Sequence, residues 1–73
     1  MGENKIERVA NATAKNYALD GYRLLDCEFN ENSQLAVYRM RHDNGNELRI
    51  IGDLITKKIN IFLNKKLNKT INL

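Results

Sequence analysis

Polar and apolar positions along this chain follow two rhythms, and the change between them comes at Gly21. Upstream, Ile6, Val9, Ala10, Thr13 and Tyr17 recur at the spacing of one helix face, while Glu7, Arg8, Asn11, Lys15 and Asn16 fall elsewhere. The pattern predicts a helix over 3–19 whose narrow apolar stripe packs by one side only. Asn4 is placed to cap the first turn, with Glu7 three residues on as its reciprocal partner. Gly21 ends the helix, because glycine alone takes a left-handed C-terminal position without steric cost.

Downstream the period is two. Leu25, Cys27 and Phe29 alternate with Asp26 and Glu28, predicting a half-buried strand over 22–29. A polar turn follows at Glu31–Gln34, then strands at 35–42 and 46–52 separated by Asp43-Asn44-Gly45. A two-residue Asn44-Gly45 turn would set Arg41 opposite Leu48 and mix charge with core on one face. A three-residue loop with Gly45 left-handed pairs Met40 with Leu48, Tyr38 with Ile50, Arg41 with Glu47 and Val37 with Ile51. That register segregates the faces and is the expected one. By the same argument, a four-residue loop at 31–34 pairs Phe29 with Ala36, Cys27 with Tyr38, Leu25 with Met40 and Asp26 with Arg39. The core face then comprises Leu25, Cys27, Phe29, Tyr38, Met40, Leu48 and Ile50, covered by the helix.

Beyond Asp53, a helix over 54–67 would align Ile55, Ile59, Leu63 and Leu67 but would draw Lys58, Lys65 and Lys66 into the apolar arc. A strand over 58–63 alternates cleanly, with Ile59, Ile61 and Leu63 inward and Phe62 outward. The strand is the expectation, with 64–73 an edge strand or tail. The predicted fold is α+β: one domain over 1–73, an N-terminal helix packed on a three- to four-stranded antiparallel meander sheet.

Composition narrows the function. A chain of 73 residues buries only about 60% of the surface its unfolded form exposes, so a lone monomer is marginal. One cysteine, Cys27, excludes an intramolecular disulfide, and Cys27 with His42 cannot make a four-ligand zinc site. Association with another chain is therefore the expected support, in the simplest case as a homodimer. The charged N-terminus shows neither a signal peptide nor a span of about 20 apolar residues, so the expected location is cytoplasmic and no membrane partner is expected. Eleven Asn, with abundant Lys and Ile, are what AT-rich coding produces, which points to a bacterial or phage source.

Little of the sequence suggests catalysis. His42 sits at a predicted strand end without a nucleophile beside it, and Cys27 is expected as a small core residue. The carboxylates of Asp26 and Glu47 face Arg39 and Arg41 across the predicted strands, which reads as a solvated ion-pair face. The four glycines are single and make no phosphate-cradling loop. No enzyme activity, cofactor or metal is expected.

The outer sheet face is more informative. Leu24, Leu35, Val37, Ile51 and Phe62 point there in these registers, among Arg39, Arg41 and Arg49. Such a patch marks a contact surface, and burying it against a second copy would supply the area that the chain lacks. The alternative is nucleic-acid binding. Residues 1–53 carry seven Lys/Arg against nine Asp/Glu, whereas 54–73 carry Lys57, Lys58, Lys65, Lys66 and Lys69 and no acid. With Arg39, Arg41 and Arg49, these lysines are the candidate phosphate contacts.

The segment Asn-Gly-Asn-Glu-Leu-Arg-Ile-Ile-Gly-Asp-Leu-Ile-Thr-Lys-Lys-Ile at 44–59 resembles PepSY-type domains. That family carries a D-x-x-T-G-K-[IV] turn between its last two strands, matched here by Asp53, Thr56, Lys58 and Ile59, with Lys57 where the family prefers Gly. The resemblance spans residues 6–63 and implies a binding or inhibitory module without chemistry of its own. PepSY-like domains are usually exported, and this chain shows no export signal. The expected function is a non-catalytic protein-binding or assembly module that acts as a homodimer.

Overall fold

A computed structural model of the protein describes residues 5–73; the expected Asn4 cap lies outside them. Helix α1 spans Lys5–Leu19, followed by strands β1 Tyr22–Asn30, β2 Leu35–His42, β3 Glu47–Asp53, β4 Lys58–Leu63 and β5 Lys66–Asn72. The strands form one antiparallel sheet in the order β1-β2-β3-β4-β5, one more than the sequence suggested. The segment 54–67 is a turn, a strand and the start of a hairpin, not a helix.

Turn chemistry sets the meander. Asn30 Oδ1 accepts the Asn32 and Ser33 amides, closing the four-residue loop before β2. At Asp43-Asn44-Gly45, Gly45 is left-handed with φ 96° and its amide donates to the His42 carbonyl. The three-residue loop therefore holds, and β2 pairs with β3 in the expected register: Met40 with Leu48, Tyr38 with Ile50, Val37 with Ile51, Arg41 with Glu47. Asp53 Oδ1 accepts the Ile55 and Thr56 amides at the next turn, which closes with Lys57 at φ 59°. Asn64 and Lys65, at φ 51° and 70°, make a two-residue turn of the type whose twist matches its flanking strands.

Helix and sheet meet over β3. Ile6, Ala10 and Ala14, one turn apart, are buried against Ala36, Tyr38, Met40, Leu48, Ile50, Ile59 and Ile61. Small residues on the helix let it settle close to the sheet, and Gly52 lies directly beneath Ile6. Each fully buried Ile stabilises the fold by about 1.5–3 kcal/mol, so Ile50, Ile59 and Ile61 form the centre of the core. Val9, Tyr17, Tyr22, Leu54, Leu63 and Ile71 pack around its margin.

Strand β1 departs from the expected pairing at one point. Phe29, Cys27 and Asp26 meet Ala36, Tyr38 and Arg39 as read from the sequence, but Leu24, not Leu25, faces Met40. Leu25 is an extra residue in a bulge, and it restores Tyr22–Leu24 to the alternation that follows Met40 and His42. Leu25 is consequently 59% exposed and sits beside Arg39, Arg41 and Arg49 instead of in the core. Cys27 and Phe29 do face the helix side, yet both are exposed: the helix packs chiefly on β3, meets β1 at Tyr22, and leaves these two side chains uncovered.

Candidate binding surfaces

The sheet has one face under the helix and one open face. On the open face, Val37 lies opposite Ile51, Leu35 opposite Asp53, and Phe62 opposite Arg49. Leu35, Val37, Ile51 and Phe62 are all half-buried by their neighbours in the sheet. Ile51 and Phe62 share a shallow depression with Arg49 and Lys65. Leu67, opposite Phe62 and 58% exposed, extends this apolar diagonal onto β5; the sequence reading missed it because the Asn64-Lys65 turn carries no glycine to mark it. Leu24, expected in this group, is on the helix side instead, since the bulge exchanges it with Leu25.

Charge frames the diagonal. Arg39 Nε donates to Asp26 Oδ1 at 2.8 Å and its Nη2 donates to Oδ2, a two-pronged pair across β1 and β2. The hydrogen bond from Arg39 holds the Asp26 carboxyl below its ordinary range, and Asp26 in turn raises Arg39. Arg41 Nη2 donates to Glu47 Oε2 at 2.9 Å and lowers that carboxyl likewise. The Asp53 carboxyl is lowered by the backbone amide of Thr56. All three acids are structural groups at the surface, Glu47 exposed and Asp26 and Asp53 half-buried, bound to turn amides or to arginines.

Apart from Arg49 and Lys65, which share the depression at Ile51 and Phe62, the candidate phosphate contacts are not gathered. Arg39 and Arg41 are engaged by carboxylates. Lys57 and Lys58 lie at the β3–β4 turn, while Lys65 and Lys66 lie at the β4–β5 turn at the opposite end of the sheet. Lys66 and Lys69 pair with Leu63 and Ile61, which places them on the helix side, away from the arginines. Arg49 lies opposite Arg39 on the open face and makes no ion pair among the described residues.

His42 has a structural role. Its Nδ1 accepts the Asn44 amide at 3.0 Å, which leaves the proton on Nε2, 3.2 Å from the Asp20 carbonyl. The ring stacks edge-on against Tyr22, which does the same with Tyr17, so the three rings tie the helix C-terminus to the sheet. Gly21, left-handed at φ 99°, passes so close that a Cβ there would lie 2.7 Å from His42 Nε2. Among the described residues no group of His, Cys, Asp or Glu could hold a metal ion, and no helix is long and apolar enough to cross a membrane. No family model matches the chain, and no curated protein or solved structure is significantly similar to it.

Proposed function

We propose that the chain is a non-catalytic protein-binding module that self-associates through the open face of its sheet. The observation that carries this reading is the half-buried diagonal of Leu35, Val37, Ile51 and Phe62, extended by exposed Leu67, on a face that no element among the described residues covers. Five strands about 4.8 Å apart and seven residues long offer roughly 600 Å² in projection. With its relief counted, such a face approaches the ~800 Å² per partner of a standard interface. Burial against a second copy also offsets the marginal core of a small chain. The PepSY-like turn at 53–59 supports the same class, a module without chemistry, here placed in the cytoplasm of a bacterium or encoded by a phage.

Light scattering on the purified protein at about 0.1 M and about 1 M salt is the test, because screening differs severalfold between the two. A dimer indifferent to salt is expected, and Val37→Lys or Ile51→Lys is expected to make it monomeric without loss of circular dichroism. A folded variant that stays dimeric refutes the open-face interface. A wild-type monomer that releases nucleic acid at high salt transfers the assignment to Arg49 and the lysines.

A further inference from the structure

We propose that the β1 edge is a docking site for an extended segment of another protein, one with alternating basic and apolar side chains that joins the sheet as a sixth strand. The first observation is an uncovered apolar shelf. Leu24, Cys27 and Phe29 pair with Met40, Tyr38 and Ala36, so all three belong to the helix side of the sheet. Their β2 partners are buried, yet Leu24 is 52% exposed, Phe29 is 45% exposed and Cys27 is exposed. An apolar layer that continues past the helix and ends in solvent is a surface built to be covered.

The second observation is the direction of the backbone groups. The His42 amide donates to Asn46 and the Leu54 amide donates to Gln34, so even-numbered β2 residues turn their backbone groups toward β3. Odd-numbered ones face β1 and bond to Asn30, Glu28 and Asp26. Cys27 and Phe29 therefore aim their amides and carbonyls outward from the edge. The two residues that present apolar side chains also present the hydrogen-bonding template for an added strand.

The two edges of the sheet differ in the feature that governs strand addition. On β5, Lys66 and Lys69 occupy the helix-side positions opposite Leu63 and Ile61. Charges pointing inward at an edge are a device that blocks pairing with another chain. On β1 the corresponding positions hold Leu24, Cys27 and Phe29, and no such charge is present. The β5 edge is defended by charge, whereas β1 carries only its bulge at Leu25 and is left open from Asp26 to Asn30.

Charge selects the occupant. On the open face of β1, Arg23 is held by Asp43 and Asp26 by Arg39, Asn30 is uncharged, and Glu28 is exposed and makes no ion pair among the described residues; Glu31 follows in the loop. A second copy paired through β1 is disfavoured by these acids. A twofold register centred on Asp26, Cys27 or Glu28 sets a carboxylate directly opposite a carboxylate, which destabilises a strand pair. A strand with lysine or arginine toward the open face and apolar residues toward the shelf meets both requirements.

The probes are the peptide Lys-Val-Lys-Ile-Lys-Val-Lys with blocked ends and its glutamate counterpart, added to the full chain with amide hydrogen exchange read by NMR. Saturating lysine peptide is expected to slow exchange at Cys27 and Phe29 by at least about tenfold while β5 is unchanged. Phe29→Glu is expected to weaken binding, and Glu28→Lys, a surface change that leaves the core intact, to reverse the preference between the peptides. Equal binding of the two peptides overturns the proposal, as does absence of protection at millimolar peptide or protection along β5 in place of β1. Protection of Cys27 and Phe29 that rises with protein concentration alone also overturns it, by assigning the edge to a second copy.

Discussion

Ile6 stands on Gly52 so closely that a Cβ at residue 52 would lie 2.8 Å from the Ile6 Cγ2 atom. That methyl is one bond from the helix residue's own Cβ, and a β-branched side chain has little rotational freedom in a helix. Relief would require the helix to lift from β3. Replacing Gly by Ala in a strand otherwise gains up to about 1 kcal/mol through the unfolded chain. Overpacking of a tight core costs about 1–3 kcal/mol. The overlap wins, and Gly52→Ala is expected to lower the urea midpoint, with Gly52→Val lowering it further. An Ala variant as stable as wild type would mean the helix is not seated as described.

Lys57 and Lys65 adopt φ values of 59° and 70°, both left-handed, and neither is glycine. Each pays a steric cost of roughly 1–2 kcal/mol that glycine would avoid, reduced by the larger entropy glycine loses on folding. Lys57→Gly and Lys65→Gly are each expected to raise stability by about 0.5–1 kcal/mol, or about 3–6 °C in Tm for a domain of this size. The second change also creates Asn-Gly, the pair best suited to a two-residue hairpin turn. Differential scanning calorimetry decides the matter, and a fall in Tm at either site would contradict the backbone geometry.

Residues that carry their own local signal were legible in the sequence. Gly45 and the alternation around it fixed the β2–β3 register, and the four-residue loop before β2 placed Asp26 against Arg39. Leu35, Val37, Ile51 and Phe62 followed from the same alternation. The bulge had no such signal, because two adjacent leucines carry neither the glycine nor the polar residue that often betrays one, and it misplaced both Leu24 and Leu25. Nor does local sequence say how far a helix reaches across a sheet. Cys27 and Phe29 alternate as core residues do, and their exposure follows only from where Ile6, Ala10 and Ala14 dock. Strand β5, Lys-Leu-Asn-Lys-Thr-Ile-Asn, reads as polar because it is an edge whose charge is its protection.

Acid should weaken the fold along a predictable course. The carboxyls of Asp26, Glu47 and Asp53 are all lowered in the folded chain. A group of that kind contributes stability above its unfolded pKa, and the contribution is lost as pH falls through the folded value. The part of the Tm that these carboxyls supply is therefore expected to be lost below about pH 4, where unfolded carboxylates take up protons. Asp53→Asn keeps an oxygen for the Ile55 and Thr56 amides but cannot titrate, so its acid limb should be shallower than that of wild type. An acid limb of unchanged slope would show that the Asp53 turn contributes nothing to acid sensitivity.

Deleting a residue from a strand ordinarily moves every side chain on one side of the gap to the wrong face. Leu25 escapes this rule, because it is the one β1 residue without a partner on β2, as Asn68 of β5 is without one on β4. Removing it would join Leu24, opposite Met40, directly to Asp26, opposite Arg39, and restore an unbroken ladder. The deletion also removes a side chain that is already 59% exposed and lies outside the core. A ΔLeu25 chain is expected to fold with a stability within about 1 kcal/mol of wild type, the range typical of changes away from packed sites. The equivalent deletion of Arg49 from β3, which has a partner on each side, would turn Leu48 or Ile50 out of the core and should abolish cooperative unfolding. Thermal melts followed by circular dichroism compare the two directly. If ΔLeu25 unfolds as ΔArg49 does, the residue is part of a continuous ladder, and Leu25 returns to the core in place of Leu24.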